Sequence, residues 1–158
     1  KLGIYQIAGA AVGVLLIFWS IYNTESLSGF IVVIYLFMFL FFAYSVFFGF
    51  LCIKTRRNAL KHSQINQFLQ IFGLAIFGFA FKYVAGVYLI FGLNLTESFE
   101  LDFGAGVSQF GFSFNNGADK LQLDINLVAI VLIYWINQLM KRIKTEIEIK
   151  KATSIDDA

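Results

Sequence analysis

Long apolar runs separated by polar stretches dominate the chain. They cover residues 2–22, 29–53, 64–93 and 125–140. A helix needs about 20 predominantly apolar residues to cross about 30 Å of hydrocarbon. Three runs reach that length, and the fourth reaches it only with its flanks. The pattern therefore predicts four transmembrane helices.

Composition agrees with a membrane location. Hydrophobic residues make up 59% of the 158-residue chain and charged residues 14%, and the mean hydropathy is +0.76. A soluble domain of this size has too little interior to bury so much apolar surface, whereas a bilayer accepts it on the outside. The predicted fold class is an all-α integral membrane protein, a four-transmembrane-helix bundle, with residues 1–158 forming one membrane domain.

The distribution of basic residues predicts the orientation. With four spans, every Lys and Arg except Lys82 and Lys120 falls on one side of the membrane. Basic residues near span ends mark the cytoplasmic side. Both termini and the tail 141–158 are therefore predicted to be cytoplasmic. The abundance of Phe, Ile, Lys, Asn and Tyr suggests an AT-rich genome, which points to a bacterial inner (plasma) membrane.

The segment 94–124 between the third and fourth apolar runs has a different periodicity. Apolar and polar residues alternate strictly in parts of 98–125, and glycine-rich or Asn-Gly turns lie between them. Alternation is the pattern of a half-buried strand. We expect a small extracytoplasmic β-hairpin or meander between helices 3 and 4. Its apolar face needs cover from the bilayer surface, the helix tops or a partner.

Small residues at helical spacing predict the packing faces of the spans. In lipid, helices associate through such residues rather than through the hydrophobic effect. The glycines expected at helix–helix contacts are Gly9, Gly13, Gly78 and Gly86. Gly9 and Gly13 form a GxxxG pair, for which packing within the chain is favoured over a dimer contact.

Lys82 is the one charged residue well inside a predicted span. A lysine at mid-bilayer costs about 2.5–3.5 kcal/mol on insertion scales, so a partner is expected. The four spans contain no carboxylate, which leaves Tyr35, Tyr44 and Ser45 as candidate partners. Three interpretations remain open for Lys82: a structural role, pairing with an acidic residue of another subunit, or a ligand or ion site.

Basic residues next to the spans are candidates for contact with anionic lipid, at about 1 kcal/mol for each residue near the surface. They are Lys54, Arg56, Arg57, Lys61, Lys141 and Arg142. A role in fixing topology alone is the favoured interpretation. These residues form no patch on a soluble domain, so nucleic acid is not an expected partner.

Motifs for catalysis, cofactors and metals are missing from the sequence. It has no Ser/His/Asp set, no HExxH and no glycine-rich phosphate loop before a helix. One Cys and one His give no metal-ligand spacing, and the outer acidic residues match no calcium loop. We therefore predict no catalytic, cofactor-binding or metal-binding residues and no enzymatic activity.

The sequence thus favours a non-enzymatic integral membrane subunit, or an accessory or scaffold protein, of a larger membrane or envelope complex. Expected partners are the lipid bilayer and other membrane subunits, which would bind the 98–125 segment or Lys82. The alternative is a small transporter or a lipid- or anion-binding membrane protein that uses Lys82 as an intramembrane counter-ion. A weaker alternative is a membrane-bound enzyme acting on lipids.

Overall fold

The computed structural model describes residues 1–24, 28–54, 57–96, 99–114 and 121–156. Within these ranges the chain forms four helices and four strands. In chain order they are α1 (Leu2–Tyr22), α2 (Gly29–Ile53), α3 (Arg57–Phe68), β1 (Phe72–Ile76), β2 (Phe79–Asn94), β3 (Glu100–Phe114), β4 (Gln122–Asn126) and α4 (Leu127–Asp156).

Helices α1 and α2 have the bounds that the apolar runs predict. They lie antiparallel, because Gly3 lies close to the carbonyl of Gly49 near one end and the Ser20 and Tyr35 hydroxyls are 2.8 Å apart near the other. Both are long and apolar enough to cross a membrane, and among the described helices they alone meet that criterion. Ser28 caps the start of α2, because its hydroxyl accepts from the backbone N–H of Ile31 and so satisfies one free donor of the first turn.

The prediction of a third span over 64–93 is wrong. The polar helix α3 ends at Phe68, and the apolar residues after it form β1 and β2. Phe77 and Gly78 connect these strands with φ of 49° and 80°, the left-handed conformation of a two-residue hairpin turn. An apolar run can form either a helix or paired strands, so the length of this run was misleading.

The four strands form one antiparallel sheet in the order β1-β4-β2-β3. β2 pairs with β1 over 79–81 and with β4 over 90–94, while β1 and β4 pair with each other. β2 can meet both neighbours because it is bent at a bulge. Ala85 and Gly86 lie opposite the single residue Ser108 of β3, and Gly86 has a φ of 129°.

The strands expected within 98–125 are present as β3 and β4, but they do not form a separate hairpin or meander. They flank β2 on opposite sides. The fourth predicted span, 125–140, is also wrong. α4 begins at Leu127 and continues to Asp156, well past the charged residues that were expected to form a tail. An all-α four-transmembrane-helix bundle is therefore excluded.

The sheet packs along one side of the α1–α2 pair. Gly9 contacts the backbone of Gly86 so closely that a Cβ would overlap it, and the Ser108 hydroxyl donates to the Gly9 carbonyl at 2.6 Å. The fully buried residues between helices and sheet are mostly apolar: Ala10, Ile17, Met38, Phe42, Tyr83 and Ala85. Helix α1 therefore packs against the bulge, and this contact determines how the sheet lies against the helices.

Candidate binding site at the Lys82–Asp124 ion pair

Lys82 lies on β2 and has a carboxylate partner in its own chain. Its Nζ donates to Asp124 Oδ2 at 2.6 Å. Sequence reasoning placed Asp124 outside the membrane because the fourth span was expected to start just after it. Strand β1 brings the two residues together across 42 positions of sequence, because it pairs with β4 at Gly73–Asp124 and with β2 at Leu74–Phe81, next to Lys82. Lys82 looked unpaired only because the predicted topology placed Asp124 outside the membrane, and that topology is wrong.

Glycines on the neighbouring strands make room for this ion pair. Asp124 lies opposite Gly73 on β1 and opposite Gly92 on β2. A Cβ at Gly73 would lie 3.2 Å from side-chain atoms of both Asp124 and Lys82, and one at Gly92 would lie 2.8 Å from Asp124 Oδ1. On the other side of β2, Gly111 of β3 is the register partner of Lys82. Larger residues at Gly73 or Gly92 would push the carboxylate away.

The ion pair is largely shielded from solvent. The side chain of Asp124 is 8% exposed and that of Lys82 is 24% exposed. Gln122 donates from Nε2 to Asp124 Oδ1 at 3.0 Å, so each carboxylate oxygen has a donor. A buried charge needs such partners because its desolvation otherwise costs several kcal/mol. The Lys82 ammonium keeps further donor capacity towards the exposed side.

A cavity of about 280 Å³ opens beside the ion pair. Its polar wall is formed by Lys82, Gln122 and Asp124, and its apolar wall includes Leu74, Phe81 and Phe112. An ammonium, a carboxylate and an amide beside apolar side chains suit a small amphipathic ligand whose polar group carries donors and acceptors.

The three residues proposed as partners of Lys82 lie elsewhere. Tyr35 is bonded to Ser20 near the end of α1. The Tyr44 hydroxyl is 3.0 Å from His62 Nδ1. Ser45 accepts from Asn66 at 2.9 Å within the helical core. The structure therefore does not bring Tyr35, Tyr44 and Ser45 to Lys82.

A buried polar cluster lies between the helices and β2, and sequence reasoning did not bring its members together. Its members are Gln6, Ser45, Ser63, Asn66, Gln67 and Gln70. Ser63 donates to Gln6 Oε1 at 3.0 Å, and Gln70 Oε1 accepts from the backbone N–H of Ala85 at 2.8 Å. The spacing of 63, 66 and 67 places these three on one face of α3, and Gln70 lies in the turn that follows the helix. This 3–4 residue spacing was the available signal.

Two amides of this cluster are incompletely bonded. Gln6 Nε2 and both polar side-chain atoms of Gln67 have no hydrogen-bond partner among the described residues. Tyr83 lies at the sheet side of the cluster, with its hydroxyl 3.0 Å from the Phe41 carbonyl and 3.1 Å from Asn66 Oδ1. Burial raises the pKa of the Tyr83 phenol, so the hydroxyl stays protonated and remains a donor.

The glycines predicted to pack helices have different roles. Gly13 contacts Phe42 of α2, whereas Gly9 contacts Gly86 of the sheet and not another helix. Gly78 is a turn residue and Gly86 is a bulge residue, so neither belongs to a helix–helix interface. For Gly78 and Gly86 the predicted role in helix packing was wrong because it depended on the third span.

Basic residues lie together at one end of the helices. Ser63 contacts Cys52 and Gln6, which places the middle of α3 beside the end of α2 and the first turns of α1. Gln64 donates to Asn137, and α3 runs antiparallel to α4, so the turn of α3 before Gln64 and the turn of α4 after Asn137 lie at that same end. Those turns and the end of α2 carry the exposed Lys54, Lys61, Lys141 and Arg142. Arg56 and the side chain of Arg57 lie outside the described residues.

Among the described residues, no group of three or more His, Cys, Asp or Glu side chains is arranged to hold a metal ion. Comparison with known proteins adds no family to these observations. The chain matches no protein-family profile, no curated protein and no solved structure.

Proposed function

We propose that this chain is a non-enzymatic membrane subunit that binds another protein through the outer half of the β2–β3 ribbon. The observation that carries this proposal is an exposed apolar surface, here called the ribbon face. Four residues of β2 lie directly opposite four of β3: Val87 opposite Val107, Leu89 opposite Ala105, Phe91 opposite Phe103 and Leu93 opposite Leu101.

The ribbon face is exposed in the monomer. Phe103 is 69% exposed, Val107 53%, Leu101 51%, Val87 49% and Leu89 44%. Contiguous apolar patches of this kind are uncommon on free monomers and mark interaction surfaces. Cover by a partner would remove these side chains from water.

The proposal places α1 and α2 in the membrane, with the basic end of the helices in the cytoplasm. Their length and apolar composition support insertion. The shared position of Lys54, Lys61, Lys141 and Arg142 supports the orientation, because basic residues concentrate on the cytoplasmic side. Both termini would then lie on that side, as in an inner-membrane protein.

A protein partner can pair the backbone groups at the edge of the ribbon, whereas lipid cannot. β3 is the edge strand of the sheet, and among the described residues no strand pairs with its outer side. Unpaired backbone N–H and C=O groups cost several kcal/mol each in hydrocarbon, and water-exposed edges invite strand addition. A strand of the partner can form main-chain hydrogen bonds with this edge, and the same partner can cover the ribbon face.

Mass measurement of the intact particle in mild detergent, after purification from the native membrane, tests this proposal. We expect a complex larger than the monomer. Phe103→Lys should release the chain as a monomer, because the lysine would have to be buried in the interface. Ile147→Lys, at an exposed apolar position of α4, is the matched control and should leave the complex intact. A monomeric native chain, or a complex unchanged by Phe103→Lys, would overturn the proposal.

The cavity beside Lys82 favours a second candidate function, the binding of an anionic or zwitterionic lipid. Here Lys82 would share its charge between Asp124 and the ligand. Lys82→Gln should lower retention of anionic lipid on the purified protein, whereas Lys144→Gln, at a site on α4 that is 70% exposed, should not. Equal retention by the two variants would exclude this role.

A further inference from the structure

A second and larger cavity lies between the two apolar helices and the sheet. It is a groove of about 550 Å³, bounded by the last turns of α1, the first turns of α2 and residues 108–112 of β3. Its walls are mainly apolar and include Leu16, Trp19, Ile31, Ile34, Phe110 and Phe112. The volume falls within the range of small-molecule sites.

Hydroxyl groups line one part of this groove. The Tyr35 hydroxyl lies 2.8 Å from Ser20 Oγ and 3.3 Å from Thr24 Oγ1. Thr24 Oγ1 donates to the Ser20 carbonyl at 2.7 Å, so its hydrogen is used. Ser20 and Tyr35 share one bond between them. When Ser20 is the donor, the Tyr35 hydrogen has only the 3.3 Å contact to Thr24, which makes it available to a ligand oxygen.

The described lining of the groove carries no charged side chain. A phosphate or carboxylate placed there would be desolvated without a cation to pair with it, which is costly. A hydroxyl head group, in contrast, can exchange hydrogen bonds with Tyr35 and Ser20. The electrostatics therefore select an uncharged polar head and not an anionic one.

The walls also indicate where the ligand comes from. Trp19 is 67% exposed, and it continues the apolar outer surface of α1 into the groove. Both helical walls belong to the two segments that are apolar enough to cross a membrane. A hydrocarbon chain beside these helices could enter sideways without crossing water.

We propose that this groove binds a neutral, hydroxyl-headed lipid such as a diacylglycerol, with one acyl chain between α1, α2 and β3 and its hydroxyl at Tyr35 and Ser20. This inference relies on the membrane insertion of α1 and α2 in the proposed function. It concerns a site separate from the ribbon face and from the cavity beside Lys82.

Photolabelling of the full chain in detergent micelles tests the inference. One probe is a diacylglycerol with a photoreactive acyl chain, and the other is a phosphatidylglycerol with the same chain. Peptide mapping should place diacylglycerol labels on 16–35 and 108–112. Labelling by phosphatidylglycerol should be several-fold weaker there. Equal labelling by both probes would show a non-selective lipid-facing surface and would overturn the inference.

Three variants separate the groove from general effects. Tyr35→Phe removes one hydrogen bond to the head group and should weaken diacylglycerol binding about 3- to 10-fold. Tyr44→Phe, in the same helix but bonded to His62, should leave it unchanged. Leu16→Trp fills the groove without removing a hydrogen bond and should abolish the groove labels. Persistence of those labels in Leu16→Trp would overturn the inference even if Tyr35→Phe fails to fold.

Carbonate extraction of membranes distinguishes failure of the lipid-site inference from failure of the proposed membrane insertion. If the chain stays in the membrane and lipid labels other faces of α1 and α2 but not the groove, only the lipid site is excluded. If carbonate releases the chain, the membrane insertion in the proposed function fails as well.

Discussion

Removal of either partner of the Lys82–Asp124 ion pair should destabilise the protein strongly, and the two losses should not add. Asp124→Asn leaves the ammonium without its carboxylate. Truncating one member of a buried pair typically costs 3–5 kcal/mol, about the upper end of what single substitutions do. Because Lys82 is 24% exposed, water can hydrate it in part. We therefore expect about 2–3 kcal/mol for Asp124→Asn.

Lys82→Met should cost more, about 3–4 kcal/mol, because the stranded carboxylate is only 8% exposed and keeps Gln122 as its single described donor. The double variant should cost less than the sum, with a coupling energy of about 1–3 kcal/mol. For a chain of this length, the Asp124→Asn loss corresponds to a decrease in Tm of roughly 5–10 °C.

Thermal unfolding in a nonionic detergent, followed by circular dichroism, measures this cycle. Lys144 and Glu148 provide the control, since they form an ion pair of 3.8 Å whose side chains are 70% and 65% exposed. Lys144→Met should change stability by at most about 0.5 kcal/mol. Additive effects of the two site variants, with a coupling energy below about 0.5 kcal/mol, would refute the reasoning. If one charge is left buried without its partner, removing that charge as well must recover part of the lost stability.

Four further substitutions follow from the packing, each measured by the same melting experiment. Gln67→Met removes an amide with no partner among the described residues and should stabilise the protein by about 1–2 kcal/mol. Gln64→Met, the control, breaks a hydrogen bond to Asn137 and should destabilise the protein. A loss of stability in Gln67→Met would mean that the Gln67 amide is hydrogen-bonded. Gly9→Ala puts a Cβ into the backbone of the bulge and should cost about 2–3 kcal/mol, and a neutral result would contradict the close contact. Gly78→Ala, at a φ of 80°, should cost about 1–2 kcal/mol, and no cost would mean that the turn has another conformation.

The sequence predicted the helical hairpin well and the rest of the fold poorly. The first two apolar runs are continuous, and α1 and α2 have the predicted bounds. The run 64–93 has similar apolar content but contains several glycines and a Phe77-Gly78 turn. Hydropathy does not distinguish a membrane helix from a strand that is buried on both faces. Gly78 read as a turn signal would have divided the run.

The candidate site shows the same limit. Lys82 was correctly selected as unusual, since a lysine within an apolar run needs a partner. The identity of that partner depends on strand pairing across 42 residues, which local patterns do not contain. The alternation in 98–125 did predict strands, yet it could not show that β4 pairs with both β1 and β2. Register between distant strands is decided by tertiary packing.

The late position of β4 in the chain has a consequence for biosynthesis. Asp124 follows Lys82 by 42 residues, which takes about 2–8 s at ordinary rates of translation. During that interval the β1–β2 hairpin has an unneutralised ammonium and an open edge where β4 will later pair. A nascent chain stalled before residue 124 would keep both. We expect such intermediates to need a chaperone or insertase until the last strand arrives.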